Sequence, residues 1–246
     1  MKIENDVLAV LSRADVGGNA VSLIGQLDRK LYERTNKVLE AAGGKWNRSA
    51  KAHLFDGDAS ARIEQIILTG DIVIPKDEFE FFPTPPAVVD LLLKRAELSP
   101  GMRVLEPSAG QGNIAVPCAN AGGLVDCYEL MPLNFAILSK DDRLGVVHYG
   151  DFLQAEPRAE YDRILMNPPF GRQADIKHVL HALKFLKPGG RLVSVMAASV
   201  AFRENKLTTD FRAVVSARGG TIDPLPDGAF KTSGTMVSTV LVTIPM

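Results

Sequence analysis

Two stretches of this 246-residue chain combine residue types that could do chemistry together. The first is Asn167-Pro168-Pro169-Phe170, which ends the run Arg163-Ile164-Leu165-Met166 and is followed at once by Gly171. Each proline fixes φ and removes a backbone donor, and each pushes the residue before it towards extended geometry. The result is a stiff loop with a side-chain amide at one end and an aromatic ring at the other. The second stretch is Glu106-Pro107-Ser108-Ala109-Gly110-Gln111-Gly112, which sits between a strand-like run and an apolar helix. Its glycines permit a tight turn and close approach of a ligand, and the helix start behind them favours an anionic group. Glu129 ends the next strand-like run, about 19 residues beyond Gly110, where a carboxylate accepts hydrogen bonds from ribose hydroxyls. Gly110, Gly112 and Glu129 together describe a site for a nucleoside-bearing cofactor. A dinucleotide enzyme and a methyltransferase can both use such a half-site. No Gly-x-x-x-x-Gly-Lys-Ser/Thr motif is present, which disfavours a P-loop nucleotidase.

These loops need strands to deliver them. From Gly101 onward strand-like and helix-like runs alternate. Strands are expected over Met102–Glu106, Leu124–Glu129, Gly145–Tyr149, Ile164–Met166 and Arg191–Ala197. Helices are expected over Ala87–Ala96, Ile114–Ala121, Leu133–Ser139 and Ile176–Phe185. That alternation predicts an α/β fold with a doubly wound, mostly parallel, Rossmann-like sheet. Thr221–Asp223 and Thr235–Ile244 have no helix between them, so the sheet is expected to end in an antiparallel hairpin. The domain boundary is set at 75/76: a small basic N-terminal region over 1–75, expected to be helical, and a catalytic domain over 76–246.

Within the first 75 residues, 1 to about 24 give no clear pattern and are expected to be frayed or loosely docked. Leu27, Leu31, Val38 and Leu39 have helical spacing, and Gly43-Gly44 stops that helix. Lys45 to Phe55 reads as a short hairpin, and Asp58 as the N-cap of a helix from Ala59 to Leu68. From Arg29 to Lys51 seven basic residues (Arg29, Lys30, Arg34, Lys37, Lys45, Arg48, Lys51) stand against two acids, Glu33 and Glu40, with the only tryptophan, Trp46, among them. Lys45, Trp46 and Arg48 are candidates for phosphate and base contacts; a solvated cap with Trp46 in its core is the alternative. Net charge is −1, so any basic surface is local. Two cysteines without ligand spacing suit a reducing, cytoplasmic setting. No leader pattern and no membrane span are expected.

Taken together the motifs resemble the class I S-adenosylmethionine-dependent amino-methyltransferases that modify adenine N6 in DNA, in their gamma arrangement. Phe82-Pro83-Thr84-Pro85-Pro86, Glu106 to Gly112 and Asn167 to Phe170 match that family's motifs in order, and the likeness runs from Phe81 to the end of the chain. The resemblance implies S-adenosylmethionine as cofactor and nucleic acid as partner, DNA before RNA. It implies that Thr84 meets the cofactor carboxylate and Glu106 its amino group. Ser108, Gly110, Gly112, Glu129 and Leu130 belong to the same cofactor set. It also implies that Asp151 accepts from the cofactor adenine, with Phe152 packed on that ring, and that Phe230 supports the target base. Such enzymes commonly carry a recognition domain after the core. With no such domain expected after the last strand, either residues 1–75 recognise nucleic acid or recognition is minimal, and loose sequence choice on DNA is expected.

The chemistry of the Asn167 loop can be read from its residues. An exocyclic amino nitrogen on adenine is a poor nucleophile because its lone pair is delocalised into the ring. Two acceptors holding its hydrogens, the Asn167 side-chain oxygen and the Pro168 carbonyl, would localise that lone pair, while Phe170 stacks on the base. Displacement at the sulfonium then depends on positioning. An asparagine suffices because the amine becomes acidic only as it is alkylated. An RNA adenine-N6 enzyme fits the same loop. A protein glutamine-N5 methyltransferase fits less well, since relatives of that kind carry Tyr where this chain has Phe170. A binding module that has lost catalysis is disfavoured by its intact motifs. Pro117-Cys118 is expected to be core rather than a nucleophile. His178 and His181 are expected to pack, since no third ligand completes a metal set.

Overall fold

The computed structural model describes all residues except 1–2, 56–57, 73–81, 234 and 236. The chain divides into two compact units, Met1–Glu80 with Ala198–Thr209, and Phe81–Ala197 with Asp210–Met246. The boundary expected at 75/76 falls among residues outside the described set. That residues 198–209 group with the N-terminal unit was not foreseen from the sequence.

The first unit is mixed α/β rather than helical. Its elements are α1 (Asn5–Arg13), β1 (Asp15–Gly17), β2 (Ala20–Ser22), α2 (Arg29–Ala41), β3 (Lys45–Asn47), β4 (Ala52–Leu54) and α3 (Ala59–Thr69). The four strands form an antiparallel sheet in the order β1-β2-β4-β3. Strands of three residues are too short for a period-two pattern to register, which is why all but the Lys45–Phe55 hairpin went unread. The segment expected to be frayed or loosely docked forms α1, which buries Val7, Leu8 and Leu11 in a core that includes Leu39, Ile63 and Ile66. Local chemistry sets the helix ends. Asp28 caps α2 by accepting from Lys30 N and Leu31 N, and Asp58 caps α3 by accepting from Ser60 N. Asn47 closes the β3–β4 turn by accepting from Ser49 N and Ala50 N.

The second unit runs α4 (Pro86–Ala96), β5 (Arg103–Glu106), α5 (Ala115–Asn120), β6 (Leu124–Glu129), α6 (Pro132–Leu138) and β7 (Val147–Tyr149). It continues with β8 (Tyr161–Met166), α7 (Ala174–Ala182), β9 (Leu186–Ala197), α8 (Lys206–Ala217, which begins in the first unit), β10 (Thr221–Pro224) and β11 (Thr239–Pro245). The sheet order is β10-β11-β9-β8-β5-β6-β7, with β5 to β9 parallel and β11 antiparallel to both β9 and β10. This is the expected Rossmann-like sheet with its terminal hairpin. The helix α8 lay unread, although Phe211 and Val215 are four apart and buried. Strand order reverses between β5 and β8, which pair directly through Val104↔Arg163 and Leu105↔Ile164. The crevice at such a reversal, outside the carboxyl ends of the strands, is where ligands bind in open α/β sheets. Among the described residues no helix is long and apolar enough to cross a membrane.

Candidate active site at the strand reversal

Both chemistry-bearing stretches leave the sheet at that crevice. Glu106 is the last residue of β5 and Met166 the last of β8, so the Gly-x-Gly loop and the Asn167 loop emerge side by side from paired strands.

The first loop is braced from within. Glu129, at the end of β6, is 7% exposed. Its Oε2 accepts from Gly110 N at 2.7 Å and its Oε1 from Met131 N at 2.7 Å. Ala109 N donates to Tyr128 O at 3.0 Å, and Gly150 N to Glu129 O at 3.0 Å. One carboxylate thus ties the loops after β5 and β6 together and keeps lone pairs in reserve, since each of its oxygens has two. Gly110 and Gly112 have φ of 55° and 87°, the left-handed region that glycine enters without strain. A Cβ at Gly112 would also sit 3.2 Å from the side chains of Leu138 and Val116.

Glu106 is 2% exposed, and its Oε2 has no hydrogen-bond partner among the described residues. Burial raises its carboxyl well above the usual range; the Ala115 N–H opposes this, and the nearby Glu129 charge adds to it. A buried carboxyl oxygen without a partner requires an explanation. An ammonium group would supply the missing donor and the missing charge. With the glycine turn and the spare acceptors of Glu129, the residues present fit the nucleoside and amino-acid ends of S-adenosylmethionine. Ser108 is half-buried in the loop, and Leu130, next to Glu129, is 62% exposed and open to contact. Asp151 is exposed and holds the turn after β7 by accepting from Leu153 N.

The second loop is braced from a distance. Asn167 Nδ2 donates to Thr84 Oγ1 at 3.1 Å and lies 3.4 Å from Phe82 O. Pro168 is buried, Pro169 exposed, and Phe170 half-buried against the core cluster of this unit. Thr84, expected at the cofactor carboxylate, is 4% exposed and accepts from Asn167. Ser233 Oγ donates to Pro83 O at 2.6 Å. These partners come from segments far apart in the chain; the Phe82 to Pro86 motif was legible in the sequence, but its contact with Asn167 was not.

Two expectations are corrected. Phe230 is 1% exposed and belongs to the core cluster that includes Val89, Leu92 and Leu241, so its ring offers no face to a base. Phe152 is 2% exposed, its ring surrounded by Tyr128, His181 and Phe185 at centroid distances of 4.9–5.3 Å. Its ring is core, and only its backbone N–H, at the first position of a helical turn where no intrahelical partner exists, is left to serve a ligand. His178 and His181 pack around that ring and contact the Ala174 and Ala155 carbonyls. Cys118 is buried in α5, and burial pushes its thiol up, away from nucleophilic character. Lys45, Trp46 and Arg48 lie on and just after β3 of the first unit, all exposed. Trp46 is 50% exposed, so it is not a core residue there.

Residues 88–220, more than half of the chain, match the family described as methyltransferase small domain. The chain is 31% identical over 156 residues to the tRNA (guanine(6)-N2)-methyltransferase of Thermus thermophilus, covering 55% of this chain and 46% of that protein. It is 35% identical over 77 residues to the tRNA1(Val) (adenine(37)-N6)-methyltransferase of Aliivibrio fischeri, covering 28% and 32%. It therefore spans less than half the length of either curated relative. Its fold resembles that of a dimethyladenosine transferase from Plasmodium falciparum, with a TM-score of 0.52 at 18% identity, over 68% of this chain and 64% of that one. With a matching sheet, a glycine turn braced by a strand-end acid and a match across most of the second unit, the chain belongs to the methyltransferase small domain family, whose methyl donor is S-adenosylmethionine.

Proposed function

We propose that this chain methylates the exocyclic N6 of adenine in nucleic acid. The observation that carries this reading is the state of the Asn167 amide. Its nitrogen is engaged by Thr84 and Phe82, and its oxygen accepts no hydrogen bond among the described residues. That leaves an acceptor, held in place, at the mouth of the crevice next to the glycine turn. The rigid Pro168 carbonyl supplies the second acceptor. Two acceptors suit a group with two hydrogens to give, an amino group on a planar base. Once held by both, the amino nitrogen loses conjugation with its ring and gains a localised lone pair. The open part of the Phe170 ring stacks on the base. Glu106 holds the cationic amine of the donor, and Glu129 its ribose. The bound donor supplies an electrophilic sulfonium methyl. No side chain has to remove a proton before attack, so the chain contributes positioning and exclusion of water.

DNA with loose sequence choice is the substrate first suggested by the motifs. RNA is the second reading, favoured by the two curated relatives, each named for a tRNA amino group. The first unit supports a polynucleotide of either kind. Of the seven basic residues from Arg29 to Lys51, Arg29 and Arg34 pair with Glu33, Glu4 and Asp6. Lys45, Arg48 and Lys51 surround the exposed Trp46 on one hairpin with no ion pair among the described residues, a stacking ring amid phosphate-binding cations. The test is incubation with labelled cofactor and either genomic DNA or total tRNA, followed by mass spectrometry of the nucleosides. N6-methyladenosine or its deoxy form is the expected product. Methyl groups on guanine, or on protein glutamine, would overturn the reading.

A further inference from the structure

We infer that the segment from Phe82 to Thr84 is a positioning element that decides which atom of the Asn167 amide meets the substrate. The inference rests on the proposed role of Asn167. A primary amide can be turned over at almost no steric cost, but its two ends are opposite in hydrogen bonding: the nitrogen gives two hydrogens and the oxygen gives none. An amide presenting its nitrogen to an amino substrate would oppose donor to donor and grip nothing. The Phe82 carbonyl can only accept, so the end of Asn167 that faces it at 3.4 Å is the nitrogen. Thr84 Oγ1, at 3.1 Å, accepts the other hydrogen. Both donors are then spent inside the protein and the oxygen points to the substrate side. Turning the amide over would set oxygen against the Phe82 carbonyl, which no rotation of a hydroxyl could relieve.

The segment that does this is built to be stiff. Pro83 biases Phe82 to extended backbone, and Pro85 does the same for Thr84, so the Phe82 carbonyl and the Thr84 side chain have fixed directions. Ser233 closes the arrangement by donating to the carbonyl of Pro83, between the two contacts, at 2.6 Å. Thr84 is 4% exposed, which keeps water from competing for the amide hydrogens. The Phe-Pro-Thr-Pro-Pro run thus acts on the substrate through Asn167 rather than by touching it.

The experiment compares Thr84→Val, Thr84→Ser and Ser233→Ala with the unaltered chain. Three quantities are read: kcat on a nucleic acid that accepts methyl groups, cofactor affinity by calorimetry, and hydrogen exchange of the 15N-labelled Asn167 side-chain NH2 by NMR. Thr84→Val is expected to lower kcat by about 10- to 100-fold, the cost of a small misplacement, with cofactor affinity within about threefold. Thr84→Ser, which keeps the hydroxyl, restores kcat to within about threefold. Ser233→Ala lies between. The Asn167 NH2 exchanges slowly in the unaltered chain and in Thr84→Ser, and fast in Thr84→Val. If cofactor affinity falls as far as kcat, Thr84 is a cofactor ligand and the inference is wrong. It is equally wrong if valine leaves kcat intact, or if the unaltered NH2 exchanges like that of an exposed asparagine. Should Thr84→Val not fold, the serine and Ser233→Ala variants carry the comparison. A protected NH2 in a chain that methylates no nucleic acid would uphold the geometry and reject the proposed function instead.

Discussion

The two loops at the strand reversal are held by opposite means. The loop from Glu106 to Gly112 is braced by its own neighbourhood: a glycine turn, a helix start, and Glu129 from the next strand, which accepts directly from Gly110 N. The loop from Asn167 to Phe170 is stiffened by its prolines, but its reactive amide is oriented by residues 83 and 85 positions earlier in the chain. In the function proposed above the first loop holds the cofactor that a whole family shares, so its parts can travel as one contiguous motif. The second is proposed to face the substrate, and the orientation of its amide depends on an assembled fold.

The sharpest way to break that contrast is Asn167→Ala. Loss of an acceptor used only at the reacting centre lowers kcat by about 10³-fold or more and leaves cofactor affinity, measured by calorimetry, within about threefold. Equal losses in both would mean the two loops are not separate in function. Glu129→Ala is the converse. Removing it frees Gly110 N and Met131 N and takes away the ribose acceptors, so cofactor affinity is expected to fall by about 100-fold, or ~3 kcal/mol for two charge-assisted hydrogen bonds. At saturating cofactor, kcat should stay within about fivefold of the unaltered value.

The smallest effect concerns Glu106. Its carboxyl in the folded chain ionises well above the usual range because of burial, so the folded state binds a proton that the unfolded chain releases earlier. Stability of the cofactor-free protein is then lost as pH rises from the ordinary carboxylate range through the raised folded value, and is flat above it. Glu106→Gln keeps the shape and removes that slope. Melting curves across pH 4 to 9 should show the cofactor-free variant gaining on the unaltered chain as pH rises, while binding cofactor less well. An unchanged slope would mean that Glu106 is solvated or already satisfied.

Much of the second unit was legible because its signals are local. A parallel strand buried on both faces reads as an apolar run, and a Gly-x-Gly turn needs glycine wherever it occurs. The strand Leu124–Glu129 was read to the residue. The N-terminal unit was read less well. Its strands span three residues each, and α1 lacks a side-chain N-cap bond to mark its start. The aromatic residues were the least legible. Phe152, Phe170 and Phe230 each follow a loop motif, yet two are core and only Phe170 keeps part of its surface open. An aromatic ring is equally at home in a core and on a base, and nothing in its neighbours along the chain tells the two apart.

Read alone, the amino-acid sequence was enough to specify the class of fold and the cofactor, because both rest on residues that act within one strand, turn and helix. The folded chain was needed for the rest. It turned Phe230 inward, gathered Tyr128, His181 and Phe185 around Phe152, and left Trp46 exposed. Above all it brought Thr84 and the Phe82 carbonyl to Asn167. A hydrogen bond is directional and short, and residues more than 80 positions apart meet only when the sheet between them has formed.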